Sequence, residues 1–271
     1  MAAVPTESTA PANVWAGAAR LIDYWAIGYR RTWKGSAISS FVTPLLYVLA
    51  MGVLLGDYVA DDPGELEGAA SYLAFIAPGL LAGQAMQTTF GETTYPVMGM
   101  IKWQRVYYGM TASPLSVRSV ILAHIGFTVF RVATTCGVFV LVMAPFGVFE
   151  TVWGAVLAYL AQVLVCLAFA TPIYALSAGL KDESPFALVF RLGMIPLFLF
   201  SGAFFPIDNL DRWMQVLAQA TPLWHGVDLT RMLTLDTVDG SAALVHVVYL
   251  VTLAVLGWLW AVPRLTRRLM S

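Results

Sequence analysis

The chain has 271 residues, 59% of them hydrophobic and only 11% charged, with a mean hydropathy of +0.75 and a net charge of −1. Soluble domains carry roughly 25% charged residues, so this composition excludes water as the solvent for most of the surface. The lack of a basic excess excludes nucleic acid as a partner, since nothing is available to meet phosphates.

The opening stretch, residues 1–12, is polar and proline-containing and reads as a disordered tail. It lacks the basic segment and short apolar run of a signal peptide. Residues 13–271 read as one membrane domain. From Val14 the pattern is helical: Trp15, Ala18, Leu21, Ile22, Trp25 and Tyr29 share an arc of about 120°. Arg20, Asp23, Arg30, Arg31 and Lys34 fall opposite. Such a helix lies in the membrane interface, or alternatively against another protein domain.

Six windows then approach the roughly 20 apolar residues that a bilayer core requires: 38–55, 72–90, 119–146, 152–178, 185–205 and 243–262. The predicted fold is therefore all-α and integral to the membrane, with six transmembrane helices and an N-terminal interfacial amphipathic helix. Lysine and arginine set the orientation. With the N-terminus inside, one side holds Arg20, Arg30, Arg31, Lys34, Lys102, Arg105, Arg118, Lys181, Arg264, Arg267 and Arg268, against only Arg212 and Arg231 on the other. The first outer loop carries Asp57, Asp61, Asp62, Glu65 and Glu67 with no basic residue. Both termini are expected to be cytoplasmic.

Within the spans, Gly79 and Gly83 form a G-x-x-x-G that permits close helix packing, a motif also common by chance. In the third span His124, Thr128, Arg131 and Thr135 are spaced to share one helical face. A charge at mid-span costs several kcal/mol unless it meets water or a partner. No acidic residue is expected at the depth of Arg131, and Gln84 and Gln87 are the nearest groups to share its donors. Two readings stand: a polar stripe facing a translocation route or subunit interface, and a structural arginine bonded to backbone carbonyls. Arg191, near the start of the fifth span, is placed to snorkel to the cytoplasmic face.

Two segments are neither spans nor simple loops. Between the second and third spans, 91–116 is aromatic-rich and basic, with Pro96 and Pro114 as helix boundaries. Met98 to Gly109 is expected to be a short cytoplasmic helix, with Lys102 and Arg105 sharing a face, that docks on a partner or rests on lipid. Between the fifth and sixth spans, 206–235 is half-polar and broken by Pro222, which suits a pair of re-entrant or interfacial helices. There His225, Asp228 and Arg231 are spaced so that an Asp228–Arg231 contact is expected.

No stretch matches a P-loop, H-E-x-x-H, C-x-x-C or G-x-S-x-G pattern. Hence this chain is not read as an enzyme and has no site for hydrolysing ATP by itself. Cys136 and Cys166 lie in apolar runs and read as small hydrophobes. His124, His225 and His246 are too scattered to suggest a metal site.

At the two irregular segments the sequence resembles the permease subunits of ABC-2 type exporters, in the lipooligosaccharide (nodulation-factor) and daunorubicin-resistance-like branch. The residues that carry the resemblance are Ala77-Pro78-Gly79-Leu80, Ala112-Ser113-Pro114-Leu115, Phe205-Pro206-Ile207 and the run Pro222 to Arg231, similar to the family's P-L-x-H-x-x-D-x-x-R. The likeness extends from Trp15 to Leu269.

The resemblance implies a type V ABC exporter-like fold that dimerises and pairs with two separate ATPase subunits. ATP and Mg2+ would then sit on that partner, with no cofactor or metal on this chain and membrane lipids around it. It implies ATPase coupling by 92–109, with Glu92, Met98, Ile101, Lys102, Trp103 and Arg105 as the named positions. It also implies an outer gate formed by Phe205, Pro206, Pro222, His225, Asp228 and Arg231. His124, Thr128, Arg131 and Thr135 remain the intramembrane polar residues along the translocation path. The expected function is outward movement of an amphipathic lipid-linked saccharide, glycolipid or similar lipid across the cell membrane. The alternatives are drug efflux by the same machinery and, in another class, an ATPase-independent secondary transporter, for which no inverted repeat is visible. A non-transporting scaffold is disfavoured by the coupling-like and outer segments.

Overall fold

A computed structural model of the chain describes residues 13–50 and 66–270, and every regular element among them is helical. The tail 1–12, the end of the first expected span (51–55) and Asp57, Asp61, Asp62 and Glu65 lie outside the described residues.

Small polar residues start most of the long helices. Asn13 accepts from the backbone of Trp15 and Ala16 to open α1 (Val14–Tyr47). Ser71 opens α2 (Tyr72–Thr93) and Ser116 opens α5 (Val117–Met143) in the same way. Thr151 and Thr221 do so for α6 (Val152–Gly179) and α10 (Pro222–Thr234). Each cap satisfies a backbone N–H that has no partner inside its helix, an especially costly lack where water is scarce. The final helix, α11 (Gly240–Met270), ends with Arg267 and Arg268 in its last turn, where cations offset the helix dipole.

Val117–Phe146, Val152–Gly179 and Gly240–Met270 are long and apolar enough to cross a membrane. α2 has the length, at 22 residues, but carries Gln84, Gln87, Thr88 and Thr89. Ser184–Leu199 and Ser40–Ala50 are apolar but shorter. The first of these reaches about 24 Å, against a hydrocarbon core of about 30 Å.

The core centres on α6, which packs against α2, α5, α10 and α11. Small residues make this possible. A side chain at Gly257 of α11 would run into Thr171 and Pro172 of α6, and one at Gly226 of α10 into Val165. The Thr171 hydroxyl donates to the Ala254 carbonyl at 2.8 Å, a cross-helix bond beside the proline. In α2, Gly79 meets the backbone of Ala203 and Gly83 meets the ring of Phe198. The G-x-x-x-G pair is therefore the seat for the end of the fifth expected span.

That span is not one straight helix. It consists of α7 (Ser184–Leu188), a π-helical stretch Val189–Met194, and α8 (Ile195–Leu199), followed by bends. Pro196 has no N–H for the carbonyl one turn back and its ring crowds that carbonyl, so the widened turn just before it has a local cause. The expected fifth span of 185–205 thus ends its helix at Leu199.

α1 stands at the side of the bundle and packs mainly on α5. Ala18, Leu21 and Trp25 of its apolar arc are buried, with Trp25 stacked on Phe127 at 5.2 Å, whereas Trp15 and Ile22 face outward. The helix continues without a break past Lys34.

Candidate functional site

The first cluster lies where α1, α2 and α5 meet. α2 runs on past Gly91, and this brings Glu92 to Arg131: Oε1 is 2.9 Å from Nε, with both side chains mostly buried. Arg131 also lies over the Tyr29 ring, 5.2 Å from its centroid. Its Nη1 is buried without a hydrogen-bond partner. A crevice of about 290 Å³ opens here, lined by Ser40, Thr43, Gln84, Thr88, Gly91, Glu92, Arg131 and Thr135. The expectation that Arg131 has no acidic partner is corrected, because Gly91 does not end the helix and Glu92 keeps its helical place. Gln84 lines the crevice but donates to Thr88 at 3.2 Å.

Thr128 and His124, one and two turns before Arg131 on α5, are fully enclosed and do not line this crevice. His124 Nε2 lies 2.9 Å from the Glu92 carbonyl oxygen, which only accepts, so Nε2 carries the proton. Nδ1 then accepts from the Tyr107 hydroxyl at 2.7 Å. The imidazole therefore joins α2, α5 and the segment that carries Tyr107 as a neutral bridge. Thr128 and Thr135 return their hydroxyl protons to carbonyls of their own helix.

The second cluster lies at the other end of α2. Arg231 of α10 is buried, with Nη1 2.8 Å from Glu67 Oε2 and Nη2 donating to the Gly202 carbonyl at 2.6 Å. Its guanidinium lies 4.1 Å from the centroid of Phe75. Asp228 turns the other way and stands 2.9 Å from His246 Nε2 on α11, within ion-pair reach but off the hydrogen-bond direction. His246 Nδ1 in turn meets His225 Nδ1 at 2.7 Å, so one ring donates and the other accepts. The expected Asp228–Arg231 pair is thus replaced by two longer-range pairs, and each joins α10 to another element. Two nitrogens on a tetrahedral zinc stand about 3.3 Å apart, so the short His225–His246 approach is a hydrogen bond. Among the described residues no group of three His, Cys, Asp or Glu is placed to hold a metal. Phe205 and Pro206 lie half-buried in the bend that leads to α9 (Arg212–Gln219).

Residues 20–235, most of the chain including the first cluster and all of the second but His246, match the family described as ABC-2 type transporter. The chain belongs to the ABC-2 type transporter family. It is similar to nodulation protein J of Sinorhizobium fredii, with 29% identity over 96% of this chain and 97% of that protein. Nodulation protein J of Rhizobium leguminosarum bv. trifolii is 31% identical over 78% of this chain and 81% of its own length. The Rhizobium meliloti protein of the same name is 28% identical over 96% of each chain. An ABC-2 chain is a membrane component of its transporter, which agrees with the apolar helices.

The third region is the segment that was expected to be cytoplasmic and to dock on an ATPase. Instead of one helix over 98–109 it forms an elbow. α3 (Tyr95–Met98) continues as a π-helical turn, Gly99–Trp103, and α4 (Val106–Thr111) follows. Arg105 between them has a left-handed backbone, φ 54°, so the two arms cannot be one cylinder. Met98, Ile101 and Tyr107 are buried in the bundle, leaving Trp103, Arg105 and Tyr108 on the surface. Lys102 is held 2.7 Å from Glu183 in the connection between α6 and α7, and its partnership lowers the Glu183 carboxyl below the usual range. Lys102 and Arg105 therefore do not act as one face. Sequence reasoning missed Glu67, Glu183 and His246 as partners because each is separated in sequence from the cation or acid that it meets. The unmatched Arg131 was the available signal that a carboxylate had to be found.

Proposed function

We propose that this chain is the permease subunit of an ATP-driven exporter that moves an amphipathic, lipid-linked saccharide outward across the cell membrane. The reading has two copies of the permease working with two copies of a separate ATPase, and both termini in the cytoplasm. Six segments cross the bilayer, with α1, α2 and the bent α7–α8 segment joining α5, α6 and α11. α9 and α10 dip into the outer leaflet as re-entrant helices that close the outer end.

The observation that carries the reading is near full-length similarity to proteins named nodulation protein J, together with the ABC-2 match. The geometry fits in three places. The crevice at Glu92 and Arg131 gives hydroxyl, amide and paired charged groups suited to a polyhydroxylated headgroup. The latch at Arg231 ties α10 to the bend after α8, where an outer gate would open. The exposed Trp103, Arg105 and Tyr108 form a small surface for an ATPase, and aromatic and arginine side chains dominate such interfaces.

The test is co-expression with a candidate ATPase, reconstitution of the purified complex, and an assay of ATP-dependent movement of a fluorescent lipid-linked oligosaccharide. Movement that needs both subunits and ATP is expected. Movement without the ATPase would sink the reading in favour of a secondary transporter. Transport of amphipathic drugs but of no lipid-linked saccharide would favour efflux.

A further inference from the structure

We propose that the pocket between the ends of α6 and α11 binds the phosphate headgroup of an anionic phospholipid whose acyl chains lie along α11. The pocket has a volume of about 450 Å³ and is lined by Ala178, Gly179, Trp260, Pro263, Arg264, Arg267 and Arg268. No acidic side chain lines it. Among the described residues, neither Arg264 nor Arg267 has an ion-pair partner.

The pocket is shaped around Arg264. Gly179 leaves room for the guanidinium, and a side chain there would run into it. From the other side Trp260 holds the guanidinium 5.1 Å from its ring centroid. Cations in a last helical turn also offset the helix dipole, but that effect needs neither a pocket nor a glycine floor.

What selects a lipid is the surface leading to the pocket. Leu256, Leu259, Trp260, Pro263, Arg264 and Arg267 fall within one arc of about 140° on a helix, and all six are exposed. The arc is apolar through Trp260 and cationic from Arg264, so hydrocarbon and phosphate meet their complements in the order a phospholipid presents them. Basic pockets between transmembrane helices commonly hold anionic headgroups. The inference needs only that α11 crosses the bilayer, and its failure would leave the export reading untouched.

The test uses the full chain, purified with its ATPase if the complex requires it, and native mass spectrometry after addition of equimolar phosphatidylglycerol and phosphatidylcholine. Wild-type protein should retain phosphatidylglycerol in excess. Arg264→Gln/Arg267→Gln should lower that retention by about tenfold or more, as the loss of two headgroup contacts implies. Gly179→Ala should weaken it without altering charge, and Arg264→Lys/Arg267→Lys should keep most of it, which shows that the fold survives. Equal retention of both lipids would overturn the proposal, as would unchanged retention in the double glutamine variant. Full displacement by millimolar inorganic phosphate would instead mark a free-anion site. Loss of ATPase co-purification with lipid retention intact would mark a docking surface for the partner subunit.

Discussion

Arg131 is a cation that the fold can keep buried only while Glu92 remains charged beside it. Removing one member of such a pair strands the other, at about 3 to 5 kcal/mol. Glu92→Gln and Arg131→Gln are therefore each expected to lower thermal stability in nanodiscs by an amount of that order. The double variant should lose much less than their sum, with a coupling of about 1 kcal/mol or more. Strict additivity in a double-mutant cycle would show that the contact is incidental. At the second cluster, Arg231→Lys is expected to behave like Arg231→Ala. A lysine ammonium cannot span the carboxylate of Glu67 and the carbonyl of Gly202 as the guanidinium fork does. Export with full membrane insertion is the readout, and rescue by lysine would refute the fork argument. Asp228→Asn should impair export by loosening α10 from His246, and unchanged transport would reduce that contact to a surface detail. The cost of burying Arg131 was legible in the sequence, but its partner was not. A glycine at 91 looks like a helix end, whereas the chain keeps its helix to Thr93 because the turn is packed against α5 and His124.

At the scale of elements, the elbow at Arg105 separates two kinds of residue that the sequence placed together. Trp103→Ala and Arg105→Glu alter only exposed side chains, and are expected to lower ATPase co-purification and substrate-stimulated hydrolysis with stability unchanged. Met98→Ala and Ile101→Ala empty buried positions and should cost stability by about 2 to 5 kcal/mol. A pull-down paired with a thermal melt distinguishes the classes, and wild-type coupling in both surface variants would refute docking. The helix–helix seat is tested by Gly79→Val, which should block packing of the Phe198–Ala203 segment and reduce folded yield. Prolines were readable because each acts through its own neighbours in the chain, and the glycine pair because its spacing puts both on one helix face, although what seats there, Phe198 and Ala203, was not. The break at Arg105 was not, since nothing but the packing of Met98 and Tyr107 into the bundle forces that turn.

For the whole molecule, the centre of the bundle is closed around α6 but its flanks are not. α1 packs mainly on α5, and Ile38, Phe41 and Leu46 remain exposed along its second half, as do Leu188, Leu192 and Ile195 on the bent segment. These apolar flanks suit lipid and a second copy of the chain. Purified in mild detergent with its ATPase, the protein is expected to run as two permeases with two ATPases, measured by light scattering. A lone permease with full transport activity would contradict this. All-helical character was legible from apolar run length alone. The two polar clusters were not, because they depend on which helices become neighbours.

The π-helical stretch Val189–Met194 gives the bent segment a mechanical property that a straight helix lacks. It holds one residue more in its turn than α-helical winding uses. Were that slack taken up, everything beyond Met194 would rotate by about 100°, one residue's worth of helix. Phe198 would leave Gly83, and the Gly202 carbonyl would swing off Arg231 in the same movement. A change of winding no larger than a single residue would thus act as a crankshaft, with a shift of only about 1.5 Å along the axis, coupling Val189–Met194 to the Arg231 latch.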